Sequence, residues 1–286
     1  MTPLDYVSGA TIIPNKAFGI SPSNVNTFIT KPHTWYREQV LGEKQFDKST
    51  ATILGTIVHY CAEQYIKTKA VPKSHIFDYI HEVLDPNIQT KFPSNVDETT
   101  AIAELRSKIS ASKNPHIDVA YILDQWKPMG QAVIDYLKTN KPNRSEELIC
   151  AEVMPGFYAS GSADAVMGDT LIDFKTTSDL TPKAYIPMNY KYQLLTYAWI
   201  YTKIGVPINR IRIVWITNNQ VGRISETTGK PMKDYPTTAT AVTEEINSAD
   251  LEFIESILKL ISETVQASRD YPQLTHCLFK DYRLKQ

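Results

Sequence analysis

Two acids and a lysine lie close together in the middle of the chain, as Asp164, Asp173 and Lys175. Side chains alternate between the two faces of a strand, so Asp173 and Lys175 share one face, with their Cα atoms about 7 Å apart. A tight turn at Gly168-Asp169 would fold Asp164 back beside them. Two carboxylates that converge with a lysine suit Mg²⁺ or Mn²⁺, and the lysine can position or activate a water molecule. This combination is suited to the hydrolysis of a phosphodiester.

A simpler explanation exists for the same residues. An isolated Asp-x-Lys is more often an exposed pair that contributes little to stability, and matches to so short a motif are common by chance. Three other residues favour the functional interpretation. His59 lies on a predicted helix in the first part of the chain, and Gln193 and Tyr197 lie one turn apart on a helix after the predicted strands.

The first part of the chain, up to about Asn140, has the apolar spacing of helices. Ser21-Pro22 offers an N-cap followed by proline at the first helical position, and Asp118–Leu137 has apolar residues at helical spacing. The most regular helix is predicted from about Ala51 to Lys67, where apolar residues recur every three or four positions. His59 lies at the edge of this apolar stripe.

The middle part of the chain changes to the alternation typical of strands, interrupted at Pro155-Gly156 and Gly168-Asp169. We predict a three-stranded antiparallel meander, then a helix, then a fourth strand. In order, these elements are expected at Glu147–Tyr158, Gly161–Met167, Thr170–Thr176, Asn189–Ile204 and Arg210–Thr217. Residues 219–245 are expected to form a polar hairpin or loop, and Ala249–Ser268 a closing helix.

Length and pattern favour one domain. The 286 residues suffice for one large core, and no repeat divides them. We therefore expect a single domain over 1–286, with a mostly helical part over 1–140, a sheet core over 145–218, and a hairpin or loop with the closing helix over 219–286. The helical part is expected to form one wall of a cleft, or an arch over it.

Composition excludes several classes of function. Thirty lysines and arginines against thirty-one acids give a formal charge of −1, so any binding of phosphate must be local. Cys61, Cys150 and Cys277 lie far apart, which argues against a disulfide framework, a zinc site or an iron–sulfur cluster. Residues 1–19 lack the pattern of a signal peptide and no segment is apolar enough to cross a membrane, so we expect a cytoplasmic protein without a membrane partner.

Taken in order, five short motifs resemble those of the PD-(D/E)XK nuclease superfamily, and in particular its RecB-type exonuclease branch, which includes many phage nucleases. They are the serine-led helix that starts at Ser21, Gly55-Thr-Ile-Val-His59, Gly161-Ser-Ala-Asp164, Asp173-Phe-Lys175-Thr-Thr and Gln193-Leu-Leu-Thr-Tyr197. The resemblance spans roughly residues 21–217. It implies an α/β fold of the restriction-endonuclease type, with an αβββαβ core in which helices flank a mixed central sheet.

The sequence departs from the superfamily pattern at two positions. Ala163 stands where the superfamily's name has proline, and Asp173 replaces the commoner glutamate, which keeps the charge but shortens the reach to a metal. The four cysteines that bind an iron–sulfur cluster in some relatives are absent, so no cluster is expected. The spacing between Gly222 and Pro231 does not fit a phosphate-binding loop, so no nucleotide cofactor is expected either.

The resemblance implies a role for each residue of the central motifs. His59, Asp164, Asp173 and the Phe174 backbone carbonyl would bind Mg²⁺ or Mn²⁺. Lys175 would hold the attacking water or stabilise charge that develops on the phosphate.

Other residues would support this site. Gln193 could orient the lysine or a water, and Tyr197 could brace the site. The ordinary alternative for both His59 and Tyr197 is a place in the core. Glu63 and Glu152 could support a second metal or a hydrogen bond to a metal ligand, and we leave both outside the predicted site.

Contact with DNA would have to come from a local patch. Arg37, Lys183 and Lys191 are near the predicted mouth of the site, and Tyr190 is interleaved with them. Amines that hold phosphates beside aromatic rings that stack on unpaired bases are typical of a single-strand channel. A solvated basic face with ordinary packing tyrosines explains the same residues equally well.

By this resemblance we expect a metal-dependent DNA exonuclease that leaves 5′-phosphate and 3′-hydroxyl ends, on single-stranded or duplex DNA. A role in phage-type recombination, replication or DNA degradation would fit, with a recombination or replication protein as partner and the host cytoplasm as location if a phage encodes it. Three alternatives stay open: a structure-specific endonuclease on the same core, a non-catalytic DNA-binding subunit, and an unrelated protein whose motifs match by chance.

Overall fold

The computed structural model describes residues 7–8, 11–12, 18–43, 49–84, 91–108, 117–225 and 227–271. The helices are α1 (Pro22–Thr30), α2 (Pro32–Trp35), α3 (Thr50–Thr68), α4 (Lys73–Leu84), α5 (Glu98–Lys108), α6 (Val119–Thr139), α7 (Met188–Lys203) and α8 (Ser248–Asp270). The strands are β1 (Val7–Ser8), β2 (Thr11–Ile12), β3 (Phe18–Ile20), β4 (Leu148–Met154), β5 (Phe157–Ser162), β6 (Ala165–Met167), β7 (Thr170–Thr177), β8 (Arg210–Thr217) and β9 (Ala239–Glu245). A π-helical turn, Tyr36–Val40, continues α2.

The longer strands form two sheets. In the smaller sheet, β5 lies between β3, which runs parallel to it, and β4, which runs antiparallel. The larger sheet has the order β6, β7, β8, β9. β1 and β2 form a separate antiparallel pair. This mixed α/β architecture, flanked by helices, confirms the predicted fold class.

The predicted three-stranded meander is wrong in its boundaries, because the chain contains four strands there. The turn at Pro155-Gly156, where Gly156 has a φ of 77°, ends β4, so Tyr158 belongs to the following strand with Gly161. A break at Ala163 and Asp164 then separates β5 from β6 and carries the chain from one sheet to the other. The break places Asp164 at the junction of the sheets.

β7 and β8 are the parallel centre of the larger sheet. They pair from Thr170 with Arg210 to Thr177 with Thr217, and α7 makes the crossover between them. β8 has the bounds predicted from its alternating pattern. Because the strands are parallel, their carboxyl ends lie at the same edge of the sheet.

Apolar side chains cover both faces of this sheet. On one face, Phe174 and Val214 belong to a buried cluster with α3, α4 and α6. On the other face, Leu171 and Ile213 belong to a cluster with α1, α7 and α8. Neighbouring residues of β7 therefore face opposite clusters, as strand alternation requires. Asp173 interrupts the apolar pattern on the face towards α7.

Residues 239–245 form β9 at the edge of the larger sheet, although the sequence predicts part of a hairpin or loop there. The strand was missed because it carries small and polar residues on its exposed positions and gains its backbone partners from β8. The expected hairpin lies before it, where Gln220 pairs with Tyr235 and Ile224 with Pro231.

Two of the three cysteines are free and buried, Cys61 and Cys150. Burial raises the pKa of Cys61 to about 12, so this side chain remains a thiol at neutral pH. Cys277 lies outside the described residues. Within the described part of the chain, no helix combines the length and hydropathy that a membrane span needs.

Candidate active site

Asp164, Asp173 and Lys175 meet where the two sheets join. The turn at Gly168-Asp169 folds β6 back against β7, and Oδ2 of Asp164 accepts a 2.7 Å hydrogen bond from the Phe174 backbone N–H. The Lys175 Nζ atom donates to Oδ1 of Asp173 at 2.9 Å. The structure therefore brings together the three charged residues whose spacing suggests convergence.

His59 reaches this cluster from α3. Its Nδ1 atom lies 3.1 Å from Oδ1 of Asp164, and its Nε2 atom lies 2.7 Å from the backbone oxygen of Phe174. Burial alone would lower the pKa of His59, but the charge of Asp164 and the hydrogen bond to it outweigh burial and raise this pKa to about 9. At neutral pH the two acceptors therefore stabilise the imidazolium, which has a proton on each nitrogen.

The two aspartates differ in their ionisation. Burial would raise the pKa of Asp164, but the charge of His59 and its hydrogen bond hold this pKa below the usual value. Burial raises the pKa of Asp173, which is 5% exposed, against the opposing charge of Lys175, and the charge of Asp164 raises it further. Two buried carboxylates this close are charged at low cost only beside cations, and His59 and Lys175 supply two positive charges here.

Glu146 is a further acid at this site, and it was not among the residues predicted from the sequence. One ligand atom from each of Glu146, His59 and Asp164 lies within 4.8 Å of the others, a group that does not include Asp173. Glu146 precedes β4 with a φ of 48°, in the left-handed region that non-glycine residues rarely adopt. Burial, and then the charge of Asp164, raises the pKa of Glu146 to about 7.

The two glutamates considered from the sequence have other partners. Glu63 accepts a hydrogen bond from Lys67 one turn along α3, and Glu152 accepts one from the Gly156 backbone N–H. Glu146, rather than Glu63 or Glu152, is therefore the glutamate that lies beside His59 and Asp164. Its left-handed backbone, which directs it back to the cluster, has no signature in residue type or spacing.

The donor set fits a divalent metal ion. Oδ2 of Asp173 is buried and has no hydrogen-bond partner among the described residues, and an orphaned carboxylate oxygen is what a cation would satisfy. The carboxylates of Asp164 and Glu146 offer further oxygen ligands, beside the His59 imidazole. The Phe174 carbonyl accepts from His59, and its second lone pair leaves it able to bind a metal as well.

α7 supports the strand that leads into the site. The Tyr197 hydroxyl donates to the Ser162 backbone oxygen at 2.7 Å. A Cβ atom at Gly161 would lie 2.9 Å from the Pro22 ring and 3.1 Å from the Tyr197 hydroxyl, so glycine is needed for α1 and α7 to close over β5. Gln193 lies one turn before Tyr197 and is half-buried.

Tyr190 lies beside Lys175 of the candidate site. The sequence predicts that this tyrosine contacts nucleic acid. The Lys175 Nζ atom is 5.2 Å from the centre of the Tyr190 ring, within the range of a cation–π interaction. The ring also packs edge-on against Trp215, with centroids 5.7 Å apart. Tyr190 therefore has a contact within the protein that can hold Lys175 in place.

Two of the three cations predicted to contact DNA are already paired with acids. Arg37 donates to Glu43 at 2.7 Å, and Lys191 donates to Glu244 at 2.9 Å. Lys183 lies 5.9 Å from the ring centre of a tyrosine two residues further along. These acids therefore reduce the charge that Arg37 and Lys191 can offer to a phosphate.

The fold and the site together define a nuclease of the metal-dependent type. The profile of the PD-(D/E)XK nuclease superfamily matches residues 19–281, and the chain belongs to this superfamily. Members of the superfamily use divalent metal ions, and the site described above can hold one. The predicted family and the predicted class of enzyme are confirmed.

Several solved structures are similar to this chain. A candidate exonuclease from Eubacterium rectale has 14% identity and a TM-score of 0.47, over 90% of this chain and 82% of that chain. The alkaline exonuclease LHK-Exo from Laribacter hongkongensis has 18% identity and a TM-score of 0.35, over 71% of this chain and 93% of that chain. A phage-related exonuclease from Haemophilus somnus has 14% identity and a TM-score of 0.32, over 86% of this chain and 96% of that chain. No curated protein sequence matches the chain significantly.

Proposed function

We propose that this protein is a metal-dependent DNA exonuclease that leaves 5′-phosphate and 3′-hydroxyl ends. The observation that carries the proposal is the convergence of the acids Asp164 and Asp173 with Lys175 and His59. Family membership supports a nuclease. The choices of DNA over RNA and of exonuclease over endonuclease are parts of the proposal that the experiment below tests.

The metal would be held by Asp164, Asp173 and the Phe174 carbonyl, with His59 and Glu146 as further ligands. Bound there, Mg²⁺ or Mn²⁺ would supply Lewis-acid polarisation of the phosphate and a more acidic water. The protein holds these donors on three separate segments, which are α3, the approach to β4, and the β5 to β7 region. The orphaned Asp173 oxygen supports the same assignment.

Lys175 would act as a positive hydrogen-bond donor. Burial would lower its pKa, but the charges of Asp173 and Asp164 outweigh burial and hold this pKa above the usual value. The ammonium can orient an attacking water through the water oxygen, or donate to a phosphate oxygen as charge develops there. The water oxygen attacks phosphorus and the bond from phosphorus to O3′ breaks, so the phosphate stays on O5′ of the downstream nucleotide. The attacking water gives up a proton, and O3′ leaves as a hydroxyl with a proton in balance.

Other predicted residues keep supporting roles in the proposal. Tyr197 would brace β5, and Gln193 would orient the lysine or a water. Lys183 is the cation of the predicted patch that would contact DNA most readily, since Arg37 and Lys191 are paired with acids.

The decisive experiment compares end-labelled linear DNA with a covalently closed circle, in Mg²⁺, Mn²⁺ or chelator. Metal-dependent loss of the linear DNA alone is expected, and the label shows the polarity. It should be abolished in Asp173→Ala and Lys175→Ala. Asp135→Ala and Lys138→Ala, which break an exposed ion pair on α6, are matched controls that should cleave like the wild type.

Each other outcome contradicts a named part of the proposal. Cutting of the circle would reassign the enzyme as an endonuclease. Digestion of RNA but not DNA would reassign the substrate. No metal-dependent cleavage of either, in a folded protein, would leave the non-catalytic DNA-binding subunit as the better assignment.

For the biological setting, we propose a single nuclease domain that acts in the cytoplasm, which is the host cytoplasm if a phage encodes it. Recombination, replication or DNA degradation of the phage type would use such an enzyme, and a recombination or replication protein would be the expected partner. Purification of the tagged protein from its own cells, with identification of what copurifies, checks the partner, and fractionation of the same cells checks the location.

A further inference from the structure

A polar groove begins beside the candidate active site and follows the carboxyl ends of β7 and β8. It consists of two adjoining hollows, of about 480 and 570 Å³, which share Tyr121, Ser178 and Asn218. Residues 176–177, directly after the active-site lysine, line the near hollow. The far hollow extends to Arg223 at the base of the hairpin before β9. The groove is therefore continuous with the strand that carries the proposed chemistry.

Helix α3 forms one wall of the near hollow, with Thr50, Ala51 and Leu54 in the lining. Ala51 lines the hollow, and Gly55 lies one turn nearer to His59 on the same helix. A Cβ atom at Gly55 would lie 3.7 Å from Oγ1 of Thr176, an ordinary contact, so packing within the fold does not require glycine there. Glycine inside a helix costs about 1 kcal/mol relative to alanine. Glycine here leaves room for one methyl group beside Thr176, which lines the near hollow.

The opposite wall is held in place by hydrogen bonds. Gln125, only 6% exposed, accepts from the Asn219 backbone N–H at 2.7 Å and donates to the Asn219 carbonyl at 3.1 Å. This pair of bonds fixes the loop that follows β8. Next to it, Nδ2 of Asn218 donates to the Tyr121 hydroxyl at 2.6 Å, so the hydroxyl can direct its own hydrogen to a ligand.

We propose that this groove binds one unpaired nucleic-acid strand next to the scissile phosphodiester, a role that rests on the proposed nuclease function. Hydroxyl and amide groups such as those of Tyr121 and Asn218 are typical contacts to phosphate and sugar oxygens. Hollows of this volume hold ligands of the size of a nucleotide or two. A duplex, whose major groove alone is about 12 Å wide, does not fit into such a space.

The charged residues of the groove give it little net charge. Its lining includes Arg223 and Asp179, whose charges offset one another, and Asp124 is paired with Arg106 outside. Hydrogen bonds and shape, rather than a strong positive field, would therefore hold the strand. This is consistent with a chain whose formal net charge is −1.

The test is equilibrium binding of a short fluorescein-labelled single-stranded DNA oligonucleotide, followed by anisotropy in chelator so that metal-dependent cleavage cannot occur. Ala51→Leu fills the near hollow from an exposed helical position with a good helix former, and should raise the Kd about tenfold or more. Asn218→Ala removes one amide and should raise the Kd about fivefold. Asn209→Ala is the matched control, because Asn209 is the asparagine at the opposite end of β8, and its Kd should stay within about twofold of the wild type.

A second ligand tests whether the strand must be unpaired. A covalently closed, relaxed duplex circle has no unpaired segment, so its affinity, measured by competition, should be the same for the wild type and Ala51→Leu. Equal weakening of both ligands would overturn the single-strand assignment. If both groove variants bind the oligonucleotide with the wild-type Kd, the proposal that the groove binds nucleic acid is wrong. The same follows if the wild type does not bind the oligonucleotide. Thermal melting checks that each variant is folded, and if Ala51→Leu is not, Asn218→Ala decides.

The groove and the nuclease activity fail in different ways. A protein that binds the oligonucleotide through the groove but never cleaves DNA in Mg²⁺ or Mn²⁺ would reject the proposed function alone. A protein that cleaves DNA while the groove variants bind normally would reject the groove alone.

Discussion

The two ends of the β7–β8 pair use polar residues in different ways. At the amino end, the Asp169 carboxylate accepts hydrogen bonds from Asn209 and Arg210, and its backbone oxygen accepts from both of their N–H groups. At the carboxyl end, one bond from the Asn218 N–H to the Thr177 oxygen joins the strands, and neighbouring side chains face the groove. At the amino end, the polar groups bond to one another and hold the two strands together. At the carboxyl end, polar side chains line the groove proposed to bind a ligand.

This difference separates stability from function. The interactions of Asp169 at the amino end are exposed, so each contributes little, but together they close the turn that pairs β6 with β7. Towards the carboxyl end, Asp173 and Lys175 are largely buried, where charged groups cost folding free energy. We therefore expect changes at the amino end to alter melting temperature, and changes at the carboxyl end to alter chemistry.

The largest expected effect is that of Lys175→Met, which removes the ammonium and keeps most of the side-chain volume. Cleavage should fall by at least about a thousandfold, because the variant loses the donor for the water or the phosphate. Asp169→Ala should instead lower the melting temperature and cleave near the wild-type rate. Initial rates on linear DNA and thermal melts check both. A large loss of activity in folded Asp169→Ala would break the proposed division.

The pH profile should show the next largest effect. His59 has a pKa of about 9 and Glu146 one of about 7, and both must lose a proton before they can bind a metal ion. At subsaturating Mn²⁺ the cleavage rate should therefore rise between pH 7 and 9. His59→Asn should remove the upper part of that rise. A rate that is flat or falls over this window would exclude His59 as a titrating metal ligand.

The stability of the metal-free protein should fall with rising pH, whereas the cleavage rate should rise. Because folding raises the pKa of His59 from 6.5 to about 9, its contribution is fully present below pH 6.5 and is lost as the pH rises through 9. Melting temperatures measured in chelator should fall over that range in the wild type and much less in His59→Asn. Equal slopes in both proteins would contradict the raised pKa.

Tyr190 should show a smaller effect that depends on its ring rather than its hydroxyl. Tyr190→Leu removes the aromatic face beside Lys175 and should lower kcat about tenfold, while Tyr190→Phe keeps the face and should stay within about twofold. If Tyr190 instead stacks on a base of the substrate, Tyr190→Leu will raise KM and leave kcat unchanged. Steady-state kinetics on one oligonucleotide distinguishes the two roles.

Much of the site could be predicted because its residues lie on regular elements. Asp173 and Lys175 share a face of one strand, and the turn at Gly168-Asp169 is visible in the sequence, so the convergence with Asp164 follows from local geometry. His59 could be added only through the order of motifs, since nothing local connects α3 with β7.

The remaining parts depend on contacts between distant segments. Glu146 reaches the cluster through a left-handed backbone, and Gln125 fixes Asn219 across 94 residues of sequence separation. Lys191 and Glu244 are also far apart in sequence, so their ion pair could not be predicted. From its residue type alone, Lys191 was therefore expected to be available to DNA. β9 was missed for a related reason, because its partner β8, rather than its own pattern, makes it a strand.

The smallest expected effect is that of Gly55→Ala, which sets stability against function at one position of α3. The added methyl group meets Thr176 at an ordinary distance, so the variant should gain about 1 kcal/mol in the free energy of unfolding. It should also bind the single-stranded oligonucleotide a few-fold less tightly, because the methyl group lies against Thr176, which lines the near hollow. Denaturant unfolding and anisotropy measure the two effects.

Gly130→Ala is the matched control for that substitution, since Gly130 is also inside a helix but lies against the core. A Cβ atom there would lie 3.0 Å from the Cys61 Sγ atom, so the propensity gain should be offset by crowding, with no change in Kd. If Gly55→Ala gains stability and binds the oligonucleotide like the wild type, the space beside α3 is not kept for a strand. The groove would then rest on its Tyr121 and Asn218 wall alone.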